Sequence, residues 1–334
     1  MKEPNKKTIL FNLIANKKVG LGHLFRCAYL AKGFPDCKIK FLCSSRDKKY
    51  IKNFLDQEIQ LLEHQETNKL SIIKANKPLL IINDVLSTEK NFVNSLANLG
   101  IKVVNFEDLG SGANCTDLTI NQIYENKIID GPNILWGHNY FFLRDEFDEI
   151  EISHTFKKLK NIILTFGGSD QHNLSKEIYQ VISEFCYLND INISIVTGPG
   201  YEYLTDLKEY VLNRRGVELI ISTGTISKIM QKSQLAISSN GRTVYELAHM
   251  NVPGIIISQH KRESLHTFSN KENGFINIGI YEKDKTAKKV LKELKVLKSS
   301  EVKLSNLFSK VSNYDFSLNK NKVIDLIREV LNSA

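Results

Sequence analysis

The sequence predicts an α/β protein of two doubly wound domains, each a parallel sheet covered by helices on both faces. Three observations carry this. Strand-length apolar runs alternate with stretches of helical periodicity, the pattern of βαβ units. The alternation restarts past the middle of the chain. The 334 residues, 42% of them apolar, exceed what one small core needs and suit two domains of about 150 residues each.

Residues 8–14 (TILFNLI) are mostly apolar, as expected of a strand buried on both faces. Residues 22–34 follow with helical periodicity, Leu24, Cys27, Ala28, Leu30 and Ala31 making one apolar face. Residues 38–43, 78–83 (PLLIIN) and 101–106 (IKVVNF) read as further strands, with a helix over 89–99 between the last two. The stretch 131–150 turns polar and loop-like, which places a domain boundary near residue 150 and domains at 1–150 and 151–334. The second half gives strands at 161–166, 191–197, 217–222, 235–238 and 254–258, with helices over 173–186 and 243–250. From residue 286 the chain reads as helices. Leu294, Leu297, Leu304, Leu307, Phe308 and Val311 form an apolar stripe, so this tail is expected to pack on the second domain.

Composition narrows the function classes. Lys and Arg number 45 against 37 Asp and Glu, a formal charge of +8. Most of that surplus falls in residues 283–334, which hold 11 Lys and one Arg against six acids. A lysine-rich, arginine-poor surplus on amphipathic helices reads as solvated surface, not as a nucleic-acid site. No apolar run reaches the roughly 18 residues of a membrane-spanning helix. The start of the chain lacks a signal-peptide pattern, so a cytoplasmic protein is expected, with a monomer favoured. Cys27, Cys37, Cys43, Cys115 and Cys186 are scattered without a C-x2-C pair, and Asp84, Asp108 and Asp117 are dispersed, so no metal and no cofactor is expected. Neither G-x-x-x-x-G-K-[ST] nor G-x-S-x-G occurs.

Three loops that follow strands can carry chemistry, because doubly wound sheets bind ligands at their strand ends. The first is GLGHLFR (20–26). Gly20 and Gly22 allow close backbone approach. His23 sits in the first helical turn, where the positive end of the helix favours a neutral ring able to accept a proton. Arg26 lies one turn on, on the same face, within reach of an anion. The second is FGGSD (166–170), where Gly167, Gly168 and Ser169 offer backbone and hydroxyl donors to a phosphate and Asp170 caps or shapes the loop. The third is SSNGRTVYE (238–246), an Asn-Gly turn into a helix, with Glu246 placed to accept from ribose hydroxyls.

In order, the motifs GLGHLFRCAYLA, FEDL with CTDLTINQ, GHNYFFLRDEF, ILTFGGSDQHNL and LAISSNGRTVYELAHMNVPGIIIS run from Gly20 to Ser258, within a similarity that covers roughly residues 8–280. Together they resemble the UDP-sugar hydrolases of pseudaminic acid biosynthesis and their spore-coat polysaccharide relatives. That resemblance implies the GT-B architecture, two Rossmann-like domains facing a central cleft, related to MurG-type glycosyltransferases. It implies a UDP-sugar substrate, with Gly167, Gly168, Ser169, Asn240, Gly241, Arg242 and Thr243 near the diphosphate or sugar and Glu246 on the ribose. Gln259 and His260 stand where the family has Asn-Gln, and Asn240 where it has Gly. Residues 15–18 replace an Asp that precedes the family's first glycine loop. His23 matches the family's base, which activates water against C1 of the sugar with inversion. Arg26 either steadies the leaving group or locks the helix by an ion pair. A glycosyltransferase with the same base acting on an acceptor hydroxyl, and a non-catalytic nucleotide-sugar-binding protein, are the alternatives.

Overall fold

The structure, a computed structural model, describes residues 6–16, 19–52, 55, 59–221 and 224–333. The chain divides into two compact units. One comprises residues 1–144 and 317–334, the other residues 145–316.

The first unit contains β1 (Thr8–Leu13), α1 (Gly22–Ala31), β2 (Lys38–Ser44), α2 (Lys48–Ile51), β3 (Gln60–His64), α3 (Lys69–Asn76), β4 (Leu80–Asp84), α4 (Lys90–Ala97), β5 (Lys102–Phe106), β6 (Leu118–Asn121) and β7 (Ile134–Trp136). Its seven strands pair in parallel in the order β3-β2-β1-β4-β5-β6-β7. Strand alternation explains why β1 is apolar throughout its middle. Ile9, Phe11 and Leu13 join the core under α1, while Leu10 faces a second core with Ile81, Val93 and Val103.

The second unit contains β8 (Asn161–Thr165), α5 (Leu174–Leu188), β9 (Asn192–Thr197), α6 (Leu204–Val211), β10 (Val217–Ile221), α7 (Ile226–Lys232), β11 (Leu235–Ser239), α8 (Thr243–His249), β12 (Gly254–Ser258), β13 (Phe275–Ile280), α9 (Thr286–Ser299) and α10 (Glu301–Val311). Its six strands are parallel, in the order β10-β9-β8-β11-β12-β13. The apolar stripe expected in the basic tail is buried here. Val290, Leu294, Leu297, Leu304 and Leu307 join the core formed by α5 and the sheet.

The division corrects the expected boundary in two ways. The first crossing falls after residue 144, not 150, and the chain returns to the first unit after residue 316. The last helix, α11 (Asn319–Asn332), therefore belongs with the N-terminal sheet. Its Val323, Ile324, Ile327 and Leu331 are buried in the core of β1 and α1. Gly33 permits this docking, since a Cβ there would lie 2.4 Å from Ile324. Arg328 locks it by donating to the Gly33 carbonyl at 2.8 Å and pairing with Asp36 at 3.0 Å.

In each unit the strand order reverses beside the first strand. The chain runs outward from β1 through β2 and β3, then returns to β4 on the other side of β1. It does the same around β8, returning to β11. A crevice opens at the C-terminal ends of the strands wherever successive crossovers diverge in this way, and ligands bind there in open α/β sheets.

Candidate active site

The first crevice lies between β1 and β4. The loop out of β1 folds back on itself: Asn16 and Gly20 form an antiparallel bridge, and the Gly20 N–H donates to the Asn16 carbonyl at 2.8 Å. Gly20 has φ +78°, a conformation that favours glycine. Lys17 and Lys18 lie outside the described residues. Gly22 opens α1 and His23 is its second residue. Across the crevice, β4 ends on Asp84, which is fully buried.

His23 Nδ1 is 2.5 Å from Asp84 Oδ1. Arg26, only 3% exposed, grips the same carboxylate through two bonds, Nε to Oδ2 at 2.6 Å and Nη2 to Oδ1 at 2.5 Å. Its remaining nitrogen, Nη1, donates to Glu107 Oε1 at 2.9 Å, and its guanidinium lies over the Phe106 ring at 5.3 Å. Glu107 Oε1 also accepts from the Gln122 N–H at 3.2 Å. Burial alone would raise the Asp84 pKa, but Arg26 and His23 outweigh it and hold the carboxyl well below its usual range. Burial likewise opposes the charge on Arg26, and Asp84 with Glu107 more than compensates, raising its pKa. An ionised carboxylate only accepts hydrogen bonds, so Asp84 places the ring proton on Nδ1. In a neutral ring the lone pair would then lie on the other nitrogen, Nε2. The His23 side chain is 13% exposed against 0% for Asp84, so the ring edge reaches solvent from a buried support.

All three guanidinium nitrogens of Arg26 bond carboxyl oxygens, the arrangement expected of a lock by ion pairs.

The second crevice lies between β8 and β11, which pair directly with Thr165 opposite Ser238. Gly167 adopts φ +73° with nothing within 4 Å of the position of a Cβ. The loop's back is packed against residues 198–200: a Cβ on Gly198 would lie 2.4 Å from Gly168 Cα, and Gly200 N–H donates to the Gly168 carbonyl at 2.9 Å. Asp170 accepts from the Leu174 and Ser175 N–H groups, both at 2.8 Å, so it caps α5. This is the capping role expected of Asp170, and it leaves the Gly167–Ser169 turn, not the helix end, as the source of donors in this loop.

The loop after β11 differs from expectation at Asn240. It is 1% exposed, and its side-chain amide donates to Ser258 Oγ, the Glu263 carbonyl and the His266 carbonyl at 3.2, 2.8 and 2.9 Å. Asn240 thus pins the β11 and β12 loops together through its amide nitrogen. Gly241, Arg242 and Thr243 remain half-buried at the start of α8, and Glu246 is buried one turn in. Gln259 follows β12, its N–H donating to Glu263 Oε2 at 2.6 Å and its amide approaching the Phe166 carbonyl at 3.5 Å. His260 is exposed, with Nε2 3.9 Å from Glu263 Oε1. Burial pushes the Glu263 carboxyl up to about 7, against the pull of the Gln259 N–H.

Sequence reasoning missed Asp84, Glu107 and Glu263. Asp84 looked dispersed, yet it is the polar residue that ends the apolar run of β4, where parallel strands place functional groups. Glu107 follows β5 in the same way, inside FEDL, with φ +53°. Glu263 carried no local signal. Among the described residues no group of three His, Cys, Asp or Glu is placed to hold a metal, and no helix is long and apolar enough to cross a membrane.

No family model matches the chain. It is 27% identical over 266 residues to an uncharacterized protein of Methanocaldococcus jannaschii, covering 73% of this chain and 54% of that one, so it spans about half of that relative's length. It is 24% identical over 277 residues to the spore coat polysaccharide biosynthesis protein SpsG of Bacillus subtilis, covering 79% and 81%. It is 25% identical over 247 residues to the UDP-2,4-diacetamido-2,4,6-trideoxy-beta-L-altropyranose hydrolase of Campylobacter jejuni, covering 71% and 86%. Among solved structures it superposes on Acinetobacter baumannii MurG with a TM-score of 0.66 and 13% identity, covering 97% of this chain and 99% of that one. The UDP co-structure of Staphylococcus aureus MnaA gives 0.67 at 13% identity, covering 98% of each. The chain is thus a GT-B-fold protein similar to the spore-coat polysaccharide and UDP-trideoxyhexose hydrolase proteins, the resemblance that its strand-end loops carry.

Proposed function

We propose that the chain is an inverting hydrolase of a UDP-linked 2,4-diacetamido-2,4,6-trideoxyhexose, releasing UDP and the free sugar for nonulosonic acid synthesis of the pseudaminic or legionaminic type. The observation that carries this is the His23–Asp84 pair, whose geometry suits a ring proton on Nδ1 and Nε2 as the base. In the reaction a water oxygen bonds to C1 of the sugar and its proton passes to Nε2. The C1–O bond to the diphosphate breaks, its electron pair leaving with UDP, and a single displacement inverts C1. Asp84 stabilises the imidazolium that forms.

The nucleotide is assigned to the second unit. Gly167, Gly168, Ser169, Gly241 and Thr243 would meet the diphosphate through backbone and hydroxyl donors, with Arg242 beside them. Glu246 would accept from the ribose, and Gln259 and His260 would face the sugar. The relatives of Bacillus subtilis and Campylobacter jejuni support this reading through the names they carry.

Phosphorus NMR of the protein with a panel of UDP-N-acetyl sugars, without acceptor, tests it. The expected result is full conversion to UDP and reducing sugar, lost in His23→Ala. UDP release only after a sugar or lipid acceptor is added would make the protein a glycosyltransferase. Saturable UDP binding with no turnover on any nucleotide sugar would make it a binding protein. Wild-type rates in His23→Ala would remove His23 as the base.

A further inference from the structure

Two side chains compete for His23 Nδ1. Asp84 Oδ1 stands 2.5 Å away and Arg26 Nη2 stands 3.4 Å away. They ask for opposite tautomers. A carboxylate oxygen only accepts, so it calls for a proton on Nδ1, whereas a guanidinium only donates, so it calls for a bare Nδ1 and a proton on Nε2. The second arrangement would place the proton on the nitrogen that has to act as base. The shorter contact wins only while the Asp84 carboxylate keeps its plane and its charge.

We propose that Arg26 and Glu107 are a positioning pair that holds the Asp84 carboxylate toward His23 Nδ1 and so decides which ring nitrogen is left to take a proton. The pair acts on the base named above and rests on that reading for its catalytic consequence. The planar fork of Arg26 meets both Asp84 oxygens, which fixes the plane of the carboxylate as a single-point cation would not. Glu107 anchors the fork from behind through Nη1, and the Phe106 ring supports its face. Glu107 is itself fastened to the end of β6 by the Gln122 N–H. A run of contacts thus reaches from β6 through the Glu107, Arg26 and Asp84 side chains to one nitrogen of His23, across the ends of four neighbouring elements.

The test is the tautomer of His23, read by long-range proton–nitrogen NMR on histidine-labelled protein at a pH where the ring is neutral. The wild type is expected to show a pyrrole-like Nδ1 and a pyridine-like Nε2. Arg26→Lys removes the fork and is expected to admit the opposite tautomer, with kcat falling at least tenfold and up to about a hundredfold at little change in KM. Glu107→Gln keeps the shape and an acceptor for Nη1, so it guards against misfolding and is expected to lower kcat several-fold. A wild-type Nε2–H tautomer overturns the proposal, as does an unchanged tautomer with unchanged kcat in both variants. The readout separates this proposal from the hydrolase reading. A tautomer that shifts in Arg26→Lys in a protein that turns over no nucleotide sugar supports the positioning and sinks the hydrolase. Turnover that depends on His23 but ignores both variants does the reverse.

Discussion

Arg26→Met removes one cation from between two buried carboxylates while keeping most of the aliphatic bulk. In the wild type Arg26 is 3% exposed, Asp84 0% and Glu107 3%, so solvent screens the group little. Taking one partner from a buried ion pair leaves an uncompensated charge and costs about 3–5 kcal/mol. Urea unfolding followed by tryptophan fluorescence reads this in the right place. The sole tryptophan, Trp136, lies on β7 in the first unit, so its signal is not confused by separate unfolding of the second. At an m value of about 1–3 kcal/mol per molar urea, the midpoint falls by 1 M or more. The sign of the pH dependence sharpens the test. Wild-type Asp84 has a folded pKa below its free value, so its stabilising contribution is present above about pH 4 and is lost as pH falls through the folded value. Without Arg26, burial dominates and Asp84 tends toward the protonated form, whose stabilising effect is lost as pH rises. The deficit of Arg26→Met should therefore grow between pH 4.5 and pH 7, and Asp84→Asn in the same chain should recover much of it. A deficit under about 1 kcal/mol that is equal at both pH values would refute the account of a coupled, buried charge group.

Three further outcomes follow from the geometry. Glu263→Gln removes a carboxyl that burial pushes up to about 7; a raised folded pKa stabilises below the free value of 4.5 and loses that effect as pH rises through about 7. The variant should therefore gain melting temperature on the wild type at pH 8 relative to pH 5, by up to about 3 kcal/mol in stability, and a pH-independent difference would contradict this. Gly198→Ala should cost UDP affinity and stability together, because its Cβ would lie 2.4 Å from Gly168 Cα, whereas Gly241→Ala, with nothing within 4 Å, should fold normally and lose only UDP affinity in titration calorimetry. Ile327→Ala should cost about 2–5 kcal/mol in the Trp136-reported transition, since α11 packs in the first core; a loss confined to the second unit would contradict that placement.

Much of the fold was legible because parallel strands buried on both faces leave unbroken apolar runs. Residues 254–258 are read with the observed bounds, and β1, β4, β5, β8 and β11 within one or two residues at each end. The strands that escaped lie away from the switch points and are short or half-exposed. β7 has three residues, β6 four, and β3 exposes Gln60 and Glu63. The place of α11 was illegible for another reason. An amphipathic stripe shows that a helix packs, and nothing in it names the sheet on which it packs. At the site, glycines and a histidine in a strand-to-helix turn are local signals and were found. The partners of His23 and Arg26 come from the ends of β4 and β5, 58 and 81 residues beyond Arg26, and only the topology brings them together.

The two switch points occupy the same position in the same fold and differ in electrical character. In the first unit the switch point holds the buried carboxyl groups of Asp84 and Glu107, and all three nitrogens of the Arg26 guanidinium are bonded to them. A diphosphate, itself a dianion, is repelled there, while a neutral water or hydroxyl beside a base is not. In the second unit the corresponding loops present Gly167, Gly168, Ser169, Gly241 and Thr243 with Arg242, and the nearby Asp170 spends its charge on the α5 N–H groups. That surface has backbone and hydroxyl donors for an anion and little charge to oppose one. Electrostatics thus supports the proposed assignment of the nucleotide to the second unit and of proton transfer to the first. Arg26, the cation nearest His23 in sequence, is likewise a poor candidate for the diphosphate, because its three guanidinium nitrogens already bond the Asp84 and Glu107 carboxyl groups.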